Sequence, residues 1–227
     1  MKKIIALLFI TLLCGTSWAA RYPELGACTG NNVRLRQTPG TDGKITGRIE
    51  GSRNQFVILG EEYDDGQNLW YIIDHPTKKG TAYISAKYVN YGWYFGNDKT
   101  LPTGDAFVKV RLTFGIYPEK TRALLGKPSK SESGSLEYPG CKLWYEEDSL
   151  QRVEIYRRGY ALAGVKVGDS CSKLIALGMP EDYSDDHEGW NYIKSETGEE
   201  IFFQFTSNDD GEVIIEWMSW ERPVAAG

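Results

Sequence analysis

Histidine is nearly absent from this chain. Only His75 and His187 occur in 227 residues, too little imidazole for a metal centre built on histidine. No block of lysine and arginine is long enough to neutralise a row of phosphates, and a formal net charge of −5 runs against nucleic acid as a partner. Walker and dinucleotide glycine motifs are missing, so no nucleotide cofactor is expected. Apart from residues 4–13, the chain has no long apolar run. None approaches the about 18 consecutive apolar residues that a spanning helix needs, so the chain is not expected to cross a membrane. Cysteine is scarce, with four residues.

What is present begins with a leader. Lys2 and Lys3 precede the apolar run Ile4–Leu13, and Ser17-Trp18-Ala19 places small residues at the two positions a signal peptidase reads. Residues 1–19 therefore read as a cleaved signal peptide, and the mature chain is expected to be exported, periplasmic or extracellular and associated with the cell wall. Cys14 follows the bulky Leu13, where a lipid-attachment signal wants a small residue. Losing Lys2 and Lys3 with the leader lowers the charge by two, to −7. Such a balance keeps an exported protein soluble and also suits a cationic partner. Cys28, Cys141 and Cys171 remain, an odd number for an oxidising compartment. Cys141 and Cys171 fall in the same C-terminal region and are the expected disulfide; three unbridged thiols in a reducing setting are the alternative.

From Ala27 to Asn90 the chain reads as short strands broken by Gly, Pro, Asn and Asp. Val33–Arg36 alternates apolar and polar, and Gln55–Leu59, Leu69–Ile73 and Thr81–Ile84 follow as further strands. Several short strands in about 65 residues predict a small barrel, whose closure protects its edges. The segments "NVRLRQTPGTDGKITGRIEGS", "WYIIDHP" and "GTAYISAKYV" resemble, in order and spacing, the bacterial SH3 (SH3b) domain. Two departures are Tyr83, where that family most often has Trp, and the acidic "EEYDDG" at 61–66 in place of a variable loop. The resemblance implies a small all-β SH3-like barrel over 27–90, of a kind that often binds cell-wall peptides. Tyr63, Trp70, Tyr83 and Tyr88 are the candidate ligand-binding residues, able to stack on a peptide or glycan. Trp70 and Tyr83 are equally suited to filling the core.

Residues 91–105 have little periodicity and read as a linker, with Trp93, Tyr94 and Phe95 expected to pack on a neighbouring domain. Residues 106–223 contain an internal repeat, expected as units 106–160 and 161–223. "TFGIYPEKTRALLGKP" at 113–128 parallels "KVGDSCSKLIALGMP" at 166–180. Each copy reads as a short helix stopped by Gly126 or Gly178 and then Pro128 or Pro180. Antiparallel strands follow in both, within 142–158 and 200–220. The fold class is thus an SH3-like barrel followed by an α+β domain of two helix-plus-antiparallel-strand repeats, with both helices on one sheet face. The doubled pattern of a helix ending in Leu-Gly-x-Pro, then strands, resembles the β-lactamase-inhibitor-protein-like and outer-membrane-assembly-lipoprotein-like superfamily. That resemblance implies the fold alone.

Chemistry is thin. "GDSC" around Cys171 superficially resembles the nucleophile segment of NlpC/P60 peptidases, but Ser170 separates Asp169 from Cys171, and His187 follows only sixteen residues on. A thiolate nucleophile needs a positioned imidazole, and the first copy of the repeat has Pro118 where the second has Cys171. Asp182, Asp185, Asp186, His187 and Glu188 lack the spacing of a calcium loop. Glu146, Glu147 and Asp148 read as a turn between strands rather than a glycosidase pair. The expectation is a non-enzymatic envelope-binding protein with no catalytic residues, no metal and no cofactor. Its barrel contacts peptidoglycan or its peptides, and its repeat domain contacts another macromolecule. The alternatives are an inhibitor or assembly factor acting through the repeat domain, and, more weakly, a cell-wall cysteine hydrolase using Cys171.

Overall fold

The computed structural model describes residues 22–51, 54–91, 103–162, 164–176, 191–194 and 199–222. The first seven strands are β1 (Glu24–Cys28), β2 (Val33–Arg36), β3 (Ile45–Ile49), β4 (Gln55–Tyr63), β5 (Leu69–Asp74), β6 (Thr81–Ser85) and β7 (Val89–Tyr91). They form one antiparallel sheet in the order β3-β2-β6-β5-β4-β1-β7. Alternation decides which side faces in. Val33 and Leu35 are buried while Arg34 between them is exposed, as the period of two requires. Val33, Leu35, Ile49, Phe56, Ile58, Ile73 and Ile84 meet in a single core, so the sheet curls around its own apolar face. This strand-rich region fits the SH3-like all-β expectation for the N-terminal part. It also includes β1, β3 and β7, which short, glycine-interrupted stretches did not signal.

Two helices follow, α1 (Thr103–Phe114) and α2 (Pro118–Leu125). Helix α1 begins inside the segment expected to be a linker. It has two apolar faces, because residues four apart share a face and residues two apart lie nearly opposite. Val108 and Leu112 pack on Leu25, Val57 and Leu59 of β1 and β4, whereas Val110 and Phe114 enter the C-terminal core. Gly115 makes the turn into α2 at φ +80°, and a Cβ there would sit 2.6 Å from Cγ of Lys120. Gly126 ends α2 at φ +86° with its N–H on the Arg122 carbonyl.

The C-terminal strands are β8 (Lys130–Glu132), β9 (Ser135–Tyr138), β10 (Cys141–Glu146), β11 (Ser149–Ile155), a short β12–β13 hairpin (Ala161–Leu162, Val165–Lys166), β14 (Asn191–Lys194), β15 (Glu200–Ser207) and β16 (Val213–Glu221); α3 (Ser172–Ala176) lies between β13 and β14. Seven of these make an antiparallel sheet in the order β14-β15-β16-β11-β10-β9-β8. Leu143, Val153, Ile201, Phe203, Met218 and Trp220 fill its core together with Leu174 of α3. Glu147 and Asp148, both at positive φ, form the two-residue turn between β10 and β11. Gly178, Pro180 and the acidic stretch 182–188 lie outside the described residues.

The two sheets are joined by buried polar contacts as well as by α1. Tyr117 Oη accepts the Gln55 N–H at 2.9 Å and donates to the Gln55 carbonyl at 3.1 Å. Lys120, almost wholly buried, places Nζ 2.6 Å from Asp74 Oδ1 and 2.8 Å from the Lys78 carbonyl. The expected Cys141–Cys171 bridge is not made. Cys28, Cys141 and Cys171 are all free. Cys141 is sealed in the core, where burial pushes its thiol up to about 12, and Cys171 sits in the turn before α3 with its N–H on the Val213 carbonyl.

Candidate ligand groove on the barrel

An open groove of about 720 Å³ runs along the N-terminal barrel, between the start of β2, the β4–β5 hairpin and the 3-10 turn Ala86–Tyr88. Trp70 and Tyr88 both line it. They contribute differently. Trp70 is only 5 % exposed and forms a wall, while Tyr88 is 38 % exposed. Lys87 Nζ lies 4.8 Å from the centre of the Tyr88 ring, within cation–π range.

The hairpin wall is organised by Asp64. Its Oδ1 accepts the N–H groups of Gly66 at 2.9 Å and Asn68 at 2.8 Å, and its Oδ2 accepts the Trp70 indole N–H at 3.0 Å. A short carboxylate that bonds backbone ahead of it is a common way to tie a turn, and here the same group fixes an aromatic wall. The donated bonds, the Asn68 N–H foremost, hold the Asp64 carboxyl below its ordinary value.

Tyr63 and Tyr83 stand elsewhere. Tyr63 is 56 % exposed at the end of β4, and neither it nor Tyr83 lines the groove. Tyr83 Oη donates to Glu62 Oε2 at 2.8 Å, and that bond raises the phenol's pKa. Because Glu62 pairs with Trp70 across β4 and β5, and Trp70 with Ser85 across β5 and β6, Tyr83 shares the outer sheet face with Trp70 beside the groove.

The residues that complete the groove are charged ones. Arg34, Arg36 and Lys87 line it together with the single acid Asp64. Arg36 is almost buried and donates to the Gly43 carbonyl at 2.6 Å. The alternation of "VRLR" already pointed Arg34 away from the core, and Lys87 is adjacent to Tyr88. Asp64 was hidden in a loop that composition marks only as acidic.

Elsewhere, Cys171 has no hydrogen-bonded imidazole among the described residues. Asp169 accepts from Lys173 Nζ at 2.6 Å and from the Lys166 N–H at 3.0 Å, so it ties the turn before α3. No cluster suited to a metal occurs among the described residues, and none of their helices is long and apolar enough to cross a membrane.

Residues 31–90 match the family of the bacterial SH3 domain. That segment contains nearly the whole groove, from Asn31 to Tyr88. Domains of this kind are generally cell-wall or peptidoglycan binding modules, and they usually occur in cell-envelope or extracellular proteins. No curated protein and no solved structure matches the chain.

Proposed function

We propose that this is an exported, non-enzymatic protein of the cell envelope whose barrel groove holds a peptide or glycan portion of peptidoglycan. The observation that carries the reading is the coincidence of the groove built by Trp70, Tyr88 and Asp64 with the segment matched to the bacterial SH3 domain. An exposed Tyr beside a fixed indole supplies stacking area at little entropic cost, and the rim provides hydrogen-bonding cations. The leader-like residues 1–19 support export. Co-sedimentation with purified peptidoglycan tests the reading. The full mature chain is expected to pellet with the wall, and Tyr88→Ala, at an exposed position, to weaken retention about fivefold or more. Equal retention of the two proteins would remove the groove from the account.

We further propose that the C-terminal domain contacts a second macromolecule. Its strand order mirrors about the β16–β11 contact, which supports two related halves. Gly115 and Gly168, aligned in the repeat, both have positive φ, +80° and +82°. The aligned carbonyls of Ile116 and Asp169 accept from Leu150 of β11 and Ile215 of β16, at 2.8 and 2.9 Å. These equivalences support reading the domain as a doubled α+β unit. The sheet face opposite the core carries Trp144 with Lys142 and Arg152 over its ring, a surface of the aromatic and arginine type that interfaces favour.

A further inference from the structure

We infer that the barrel groove selects a ligand bearing a free carboxylate, held by Arg34 and Lys87, with Tyr88 stacked beside it. This deepens the wall-binding proposal and rests on the groove being the binding site.

Charge at the groove is opposite to charge overall. The chain is acidic, at −5, yet three of the four charged groove residues are cations. The one acid cancels only one of the three positive charges, and its carboxylate is directed to the N–H groups of Gly66, Asn68 and Trp70 rather than to a cation. Among the described residues, neither Arg34 nor Lys87 has a carboxylate partner.

The cations are also crowded. Arg34 lies directly opposite Arg48 across β2 and β3, a like-charge pairing that costs stability in a sheet. Arg48 turns its guanidinium to the Asn32 amide oxygen at 2.8 Å, and Arg36 is committed to the Gly43 carbonyl. Arg34 and Lys87 are left with exposed donors on the groove, next to the exposed Tyr88 ring. A sheet that holds like charges together without internal counter-ions is relieved by an anion from outside. A carboxylate suits the fork of Arg34 best, since guanidinium and carboxylate pair through two parallel bonds. The position of Tyr88 places an apolar or ring-bearing part of the same ligand within stacking reach. An acidic cell-wall stem peptide combines these features; a neutral glycan lacks the charge.

The test is calorimetric titration of the full mature chain with a soluble stem peptide carrying free carboxylates, and with the same peptide fully amidated. Wild-type protein is expected to bind the acid form about fivefold more tightly than the amide. Arg34→Gln is expected to weaken the acid form several-fold more than the amide, so that the preference is lost, and Arg34→Lys to restore part of it. The preference is also expected to shrink at high salt. Equal affinity of wild type for both peptides, or an Arg34→Gln loss that is the same for acid and amide, overturns the inference. Peptidoglycan retention that depends on Tyr88, with no binding of either peptide, overturns the carboxylate while leaving the groove in place as a glycan site. No retention and no peptide binding removes both.

Discussion

Asp64 shows how much can hang on one side chain. Its carboxylate closes the β4–β5 hairpin and fixes the Trp70 indole in the groove wall, so its charge state and the shape of the site are linked. The sign follows from the direction of its shift. A carboxyl held below the ordinary 3.8 favours the folded hairpin fully above that value and loses the contribution as pH falls through its own lowered pKa. The Trp70 indole N–H resonance is therefore expected to hold its position down to about pH 4 and move only below it, and Asp64→Asn to shift it already at neutral pH. An indole signal that titrates near pH 6 would contradict this role. The other groove residues were unequally visible beforehand. Trp70 and Tyr88 are conspicuous as aromatics inside the family-like segments "WYIIDHP" and "GTAYISAKYV". The importance of Arg34 and Lys87 depends on which acids fail to meet them, and that is a property of the fold.

At the scale of the element, α1 is the most informative departure from expectation. An amphipathic helix announces itself by one apolar stripe. Here the apolar residues are divided between Val108 and Leu112 on one side and Val110 and Phe114 on the other, so no single stripe forms and the approach to the helix reads as linker. The strands β2, β4, β5 and β6, by contrast, were legible as short runs bounded by Gly, Pro, Asn and Asp, and Gly126 marked the end of α2 in advance. Between its two faces α1 carries Arg111, buried and paired in two hydrogen bonds with the buried Glu199, with its guanidinium 5.3 Å above the Trp220 ring. No pattern links residues 88 positions apart. Glu199→Ala takes a bonded carboxylate away from a buried cation and is expected to cost about 3–5 kcal/mol, lowering the urea midpoint by about 1–2 M. A change well under 1 kcal/mol would mean that Arg111 finds water or another acid.

Among the described residues, two seven-stranded antiparallel sheets are fastened by the helices α1 and α2. Helix α1 is shared by the barrel and the C-terminal core, Tyr117 bonds both backbone groups of Gln55, and Lys120 reaches across to Asp74 and the Lys78 carbonyl. Burial pushes the Asp74 carboxyl up, against the pull of the Lys120 ammonium. The joint holds the groove in a set relation to the C-terminal sheet, as the proposed two-partner function requires. The proposed division of labour between the two sheets can be checked by adding a solubilised stem peptide to the isotope-labelled full chain and following its amide and indole resonances. Shifts concentrated at Arg34, Trp70, Lys87 and Tyr88, with β10 and β16 silent, are the expected result; shifts confined to the C-terminal sheet, or none at saturating peptide, would contradict it.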